Sequence, residues 1–90
     1  MVTVCETIIN PTGLHARPAS EFVVEAKKYA SSIKIREAGS EAEAVNAKSV
    51  LRLLSAAFKM GTKVELIIDG PDEQEAVEAL TSLIRSGFGE

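Results

Sequence analysis

His15 is the only imidazole in the chain, and it stands in the stretch Gly13-Leu14-His15-Ala16-Arg17-Pro18-Ala19. Arg17 places a permanent positive charge two residues on, and Pro18 suits the first turn of a helix, where its missing N–H leaves no bond unmade. If that helix starts at Ala16, His15 is its N-cap. Free amides and the partial positive charge of a helix end make a ready site for an anion. A neutral ring nitrogen is a nucleophile, and a guanidinium offers a planar fork of donors matched to phosphate oxygens. Together they could accept a phosphoryl group on nitrogen and steady its charge. No serine-protease-like triad can be built, because no other residue could act as the base once His15 is used. A surface histidine that only caps a helix would leave the same pattern, so the residues alone keep both readings open.

Ser49 is the second candidate. It follows Asn46-Ala47-Lys48 and opens a leucine-rich helix, so N-capping is its default role, with Asn46 competing for it. A phosphate added there would suit the helix end and could neighbour Lys48 or Arg52. That helix carries more leucine and valine than one buried stripe requires. Val50, Leu51 and Leu54 are candidates for an exposed docking patch, with Leu53 expected in the core.

The elements that must position these residues follow from periodicity. Val2 to Ile9 reads as a strand, although Glu6 interrupts its apolar alternation, and Asn10-Pro11-Thr12-Gly13 is a turn. Ala19, Phe22, Val23, Ala26 and Ala30 form the inner stripe of the first helix. Ser32 to Glu37 alternates as a half-exposed strand, Ala38-Gly39-Ser40 turns, and Glu41 to Asn46 is a weaker strand of poor strand formers. A helix from Ser49 to Phe58 ends before Gly61, and Lys63 to Asp69 is the clearest strand. Asp72 and Glu75 have capping-box spacing, and Ala76, Val77, Leu80, Leu83 and Ile84 line the last helix, with Gly87 as its C-cap. The order βαββαβα predicts an α+β domain of two layers, four antiparallel strands with three helices on one face.

Composition narrows the function. Ninety residues, 46% of them hydrophobic, suit one domain over 1–90, and 4% aromatic content makes its core aliphatic. A net charge of −3 argues against a general nucleic-acid binder. One Cys and one His are too few for a metal cluster, and no cofactor motif is present. Cys5 therefore reads as structural. No apolar run is long enough for membrane insertion and no secretory signal is visible, so a cytoplasmic protein is expected.

GLHARPA before an amphipathic helix, then NAKSVLRLL, then GPDEQEAVEAL, strongly resembles the HPr family across essentially the whole chain. HPr proteins are histidine-containing phosphocarriers of the bacterial phosphoenolpyruvate-dependent phosphotransferase system. The resemblance implies an open-faced β-sandwich and a phosphoryl carrier that is a substrate of enzymes, not itself an enzyme. It implies phosphorylation of His15 on Nδ1 by enzyme I, phosphate stabilisation by Arg17, and onward transfer to IIA proteins. It makes Ser49 a regulatory site for an HPr kinase/phosphorylase and gives Val50, Leu51 and Leu54 to partner docking. A monomer is expected. Two branches are compatible. GSEAEA, GPDEQEA and the ending SGFGE are similar to the nitrogen-related branch, whereas NAKSVLRLL is similar to the sugar branch; the segment Glu37 to Asn46 is longer than in the commonest sugar-system members. The alternative to a sugar-linked carrier is a nitrogen-related carrier, or a regulatory module that binds partners without passing phosphate on.

Overall fold

Val64, Leu66 and Ile68 alternate with polar or half-exposed neighbours, so an extended chain there must bury one face. A computed structural model, describing residues 1–90, has this segment inside a sheet. In chain order the elements are β1 (Val2–Thr7), α1 (Ala16–Ala26), β2 (Ser32–Glu37), β3 (Val45–Asn46), α2 (Val50–Ala56), β4 (Lys63–Asp69) and α3 (Glu73–Arg85), followed by a short 3₁₀ turn at Gly87–Gly89. The sheet order is β1-β4-β2-β3, antiparallel throughout. This is the expected βαββαβα arrangement.

Register aligns the apolar faces. Val4 and Ile35 both pair with Leu66, and Ile33 pairs with Ile68. Against that face pack Phe22, Val23 and Ala26 of α1 and Ala76, Leu80 and Ile84 of α3. Each large side chain removed fully from water contributes about 1.5–3 kcal/mol, which is how an aliphatic core holds so small a chain. Glu6 falls on the same face as Val4 for a reason. Arg85, in the last turn of α3, reaches it with Nε at 3.0 Å and Nη2 at 2.7 Å.

Several sequence expectations change. The strand expected over Glu41 to Asn46 shrinks to two residues, as its run of alanine and glutamate would suggest. The first helix stops at Ala26, so Ala30 is exposed and lies outside the inner stripe. The second helix ends at Ala56, because Ala57 turns left-handed (φ 55°) and sends Phe58 back into the core. Cys5 is exposed on the sheet face away from the helices, so it has no part in the core. No capping box forms at α3. Asp72 is its N-cap but makes no side-chain cap bond; its carboxylate accepts instead from Ala30 N at 2.8 Å, from Ser31 N at 3.0 Å and from the Ser31 hydroxyl. Those bonds hold the Asp72 carboxyl below the usual aspartate range, the Ser31 hydroxyl contributing most. The loop after α1 is thereby tied to the start of α3. The C-cap of α3 is Ser86 rather than Gly87, and Gly87, at φ 69°, is the left-handed residue just beyond it that ends the helix.

Candidate functional site

The loop before α1 is held from below. Asn10 is buried, and its Nδ2 donates to Gly13 O at 2.8 Å and to Thr12 Oγ1 at 3.3 Å, closing the Asn-Pro-Thr-Gly turn. Gly13 has φ 68°, and a Cβ at that position would lie 2.4 Å from Phe58 O. Only glycine fits there, and its closeness lets Leu14 N donate to the same carbonyl at 2.9 Å. Leu14 is fully buried. The residue that follows is therefore delivered to one place on the surface.

That residue is His15. It is exposed, extended (φ −144°, ψ 158°) and at the N-cap of α1, as expected, and its side chain makes no capping bond. The imidazole is thus left for other work, which weakens the reading of a histidine present only to cap. Ala16 has φ 51°, a left-handed conformation that costs a non-glycine residue about 1–2 kcal/mol. Such strain persists where surrounding structure enforces it, here the pinned loop on one side and buried Pro18 and Ala19 on the other.

Arg17 is exposed in the first turn, but its guanidinium is occupied. Nη1 pairs with the Glu21 carboxylate, Nη2 donates to Phe88 O at 2.8 Å, and the Glu90 carboxylate lies 3.8 Å from Nη2. Glu90 Oε1 in turn accepts from Thr12 Oγ1 at 2.8 Å, Asn10 Nδ2 at 3.1 Å and Thr12 N at 3.3 Å. These bonds, that of the Thr12 hydroxyl first, hold the Glu90 carboxyl below its usual range. To reach a phosphate, Arg17 must exchange these acceptors for phosphate oxygens. The sequence reading did not foresee Asn10, Glu21, Phe88 or Glu90 here. Glu21 stands one helical turn from Arg17, a signal that was available. The tail residues reach back across more than 70 positions, and no local pattern announces that.

Ser49 caps α2: its Oγ accepts from Arg52 N at 3.3 Å, while Asn46 Oδ1 serves Lys48 N at 3.0 Å. The competition for the cap is settled for Ser49. Lys48 Nζ donates to Tyr29 O at 2.7 Å, which leaves Arg52 as the uncommitted cation nearby. In the apolar set, Leu51 is 74% exposed and Val50 36%, whereas Leu54 is half-buried against the core and Leu53 wholly buried.

A histidine freed at a helix end, beside an arginine already poised on anions, is the feature that the comparisons with known proteins bear on. Residues 2–86 match the family model described as the PTS HPr component phosphorylation site. The chain belongs to the HPr family. The phosphocarrier protein HPr of Lysinibacillus sphaericus is 44% identical over 87% of this chain and 85% of that protein. The crystal structure of HPr-C-His from Thermoanaerobacter tengcongensis superposes with a TM-score of 0.92 at 44% identity, covering 100% of this chain and 98% of that one. This HPr-family chain is a phosphocarrier of the phosphotransferase system rather than an enzyme. The expectation of a monomer meets a relative that pairs. Crh, the Bacillus subtilis catabolite repression protein, is described as a domain-swapped dimer, at 41% identity and a TM-score of 0.72 over 97% of each chain. No helix of this HPr-family chain is long and apolar enough to cross a membrane.

Proposed function

We propose that His15 accepts the phosphoryl group of phospho-enzyme I and passes it to IIA proteins. The lone pair of Nδ1 forms the new N–P bond as the bond from phosphorus to the donor atom of phospho-enzyme I breaks, and the donor atom keeps that pair. Free amides at the start of α1 and the Arg17 guanidinium then share the phosphate charge. The observation that carries this reading is the exposed His15 at an N-cap, its side chain unused by the cap. Ser49 is the regulatory site for an ATP-dependent HPr kinase/phosphorylase, and Leu51, with Val50 and Leu54 beside it, is the docking patch. We place the protein in the cytoplasm as a single domain over residues 1–90. The sugar branch is the first reading and the nitrogen-related branch the second, the latter supported by GSEAEA and SGFGE.

The test is incubation with enzyme I and labelled phosphoenolpyruvate. Label should be acid-labile and alkali-stable, as a phosphoramidate is, and absent from His15→Ala. Equal labelling of that variant would end the proposal. Adding sugar-branch or nitrogen-branch IIA proteins then reads the branch from which one drains the label.

A further inference from the structure

The short turn at Gly87–Gly89 folds back toward the helix start that carries His15. Phe88, at its centre, is left-handed (φ 55°), a strained conformation for a residue with a Cβ, and is nonetheless buried. Its carbonyl accepts from Arg17 Nη2 at 2.8 Å, and Glu90 N donates to Gly87 O at 3.0 Å. The Glu90 carboxylate grips the Thr12 hydroxyl with both oxygens, Oε1 at 2.8 Å and Oε2 at 3.0 Å. Asn10 Nδ2 and Thr12 N add two more bonds to Oε1. Thr12 and His15 line one cleft, and Glu90 Oε2 lies 3.8 Å from Arg17 Nη2. A carboxylate thus occupies the guanidinium that a phosphate on His15 would need.

We propose that residues 87–90 form a latch, closed on Arg17 and Thr12 while His15 is free and released when His15 carries phosphate, so that the fold itself drives the phosphate onward. The inference rests on His15 being the phosphoacceptor and Arg17 its counter-charge. Exclusion is the first argument. Arg17 Nη2 is bonded to Phe88 O, and Nη1 is paired with Glu21. A guanidinium that turns its fork to phosphate leaves Phe88 O and Glu90 behind. Repulsion is the second. A phosphoryl group brings roughly −1.5 to −2 charge, and Glu90 sets a further negative charge against the same arginine. The other donors to Glu90, Asn10 and Thr12, are neutral, so no cation is left to hold it once Arg17 turns away.

Strain is the third argument. Burial and the bond from Arg17 together hold Phe88 left-handed, and strain of this kind collects in switch segments. Losing Arg17 removes one of the two restraints. The consequence is thermodynamic. Closure of the latch and phosphorylation of His15 compete for one arginine, so each disfavours the other by the same free energy. The closed latch stabilises the unphosphorylated carrier alone, which makes the phosphorylated carrier a stronger donor. Contacts made only while a partner is docked change the rate of exchange and leave its equilibrium untouched. A latch within the carrier moves the equilibrium.

The test is the equilibrium between phospho-enzyme I with free carrier and enzyme I with phospho-carrier, with melting curves to verify folding. Thr12→Val deletes the hydroxyl bonds to Glu90 without altering charge, and should shift that equilibrium about threefold toward phospho-carrier. Glu90→Gln also removes a charge and should shift it about tenfold the same way. In wild type, the Glu90 amide is bonded to Gly87 O, and its protection from hydrogen exchange, read by NMR, should fall about tenfold on phosphorylation. An unchanged equilibrium in Thr12→Val, whatever Glu90→Gln does, overturns the latch and leaves only charge repulsion. Equal protection of the Glu90 amide in the two states of wild type overturns it as well. Wild type that takes no label on His15 would instead sink the phosphoacceptor reading, which separates the two failures.

Discussion

The first turns of α1 and α3 treat the same electrostatic opportunity in opposite ways. α3 starts with Asp72 at the N-cap and puts Glu73 and Glu75 in its first turn. Carboxylates there complement the partial positive charge of the helix dipole. α1 has no acidic residue in its first turn, places Arg17 there against the dipole, and leaves its N-cap side chain unbonded. It also holds Ala16 in a left-handed conformation. Neither end has a side-chain cap bond, but one is compensated by carboxylates and the other forgoes that compensation, and it is the end that holds His15.

The comparison breaks most completely at His15. His15→Ala should abolish phosphoryl acceptance, while its unfolding free energy stays within about 0.5 kcal/mol of wild type, since the lost side chain is exposed and caps nothing. Thermal melts and labelling from phosphoenolpyruvate measure both. A large stability loss would mean that the α1 start is structural after all.

Arg17 ranks next. Arg17→Ala should slow phosphotransfer about a hundredfold, the scale of losing one donor to developing charge. Its exposed pairs with Glu21 and Glu90 contribute little to stability. Arg17→Lys retains charge without the fork and should recover only part of the rate. Stopped-flow transfer from phospho-enzyme I decides this, and a full-rate Arg17→Ala variant would assign the whole effect to the helix amides.

What could be read in advance divides along the same line. His15, Arg17 and Pro18 lie within four residues, and their types and spacing point to an anion at a helix start. Strands and helices with clean periodicity, Lys63–Asp69 above all, were equally legible. Asp72 was misread because its spacing to Glu75 has a local explanation, whereas its actual partners, Ala30 and Ser31, lie more than 40 positions away. The hold of Phe88 and Glu90 on Arg17 likewise depends on the chain folding back on itself. Local chemistry is written in local sequence; the contacts that aim it are not.

Asp72 offers a control on the compensated end. Its carboxyl is lowered in the fold, so its stabilisation is present above the unfolded-state value and is lost as pH falls through the folded one. Asp72→Asn should therefore melt below wild type at neutral pH, and the two should converge in acid, below the ordinary aspartate range. Phosphotransfer at neutral pH should be unchanged. A gap in melting temperature that persists undiminished in acid would show that the packing of the side chain, not its charge, ties α3 to the loop after α1.

Ser49 sharpens the comparison at a third helix start, where the expected effect is smallest. Its hydroxyl caps α2 through Arg52 N, so Ser49→Ala should lose about 1 kcal/mol, while Ser49→Asp keeps a capping acceptor and should lose less. A phosphate would bring roughly −1.5 to −2 charge to a surface whose uncommitted cation is Arg52 and whose neighbour is Leu51. A partner with an acidic docking surface would then be repelled, and Ser49→Asp should imitate this weakly, with less charge and fewer acceptor oxygens. Titrating enzyme I against wild type, Ser49→Ala and Ser49→Asp at low and high salt reads the effect. Ser49→Asp should bind worst at low salt, and the gap should narrow as added salt shortens the Debye length to about 10 Å at 0.1 M. Ser49→Ala should bind as wild type does, because removing a cap adds no charge. Equal binding by all three at low salt would leave Ser49 a helix cap and move regulation elsewhere on the docking face.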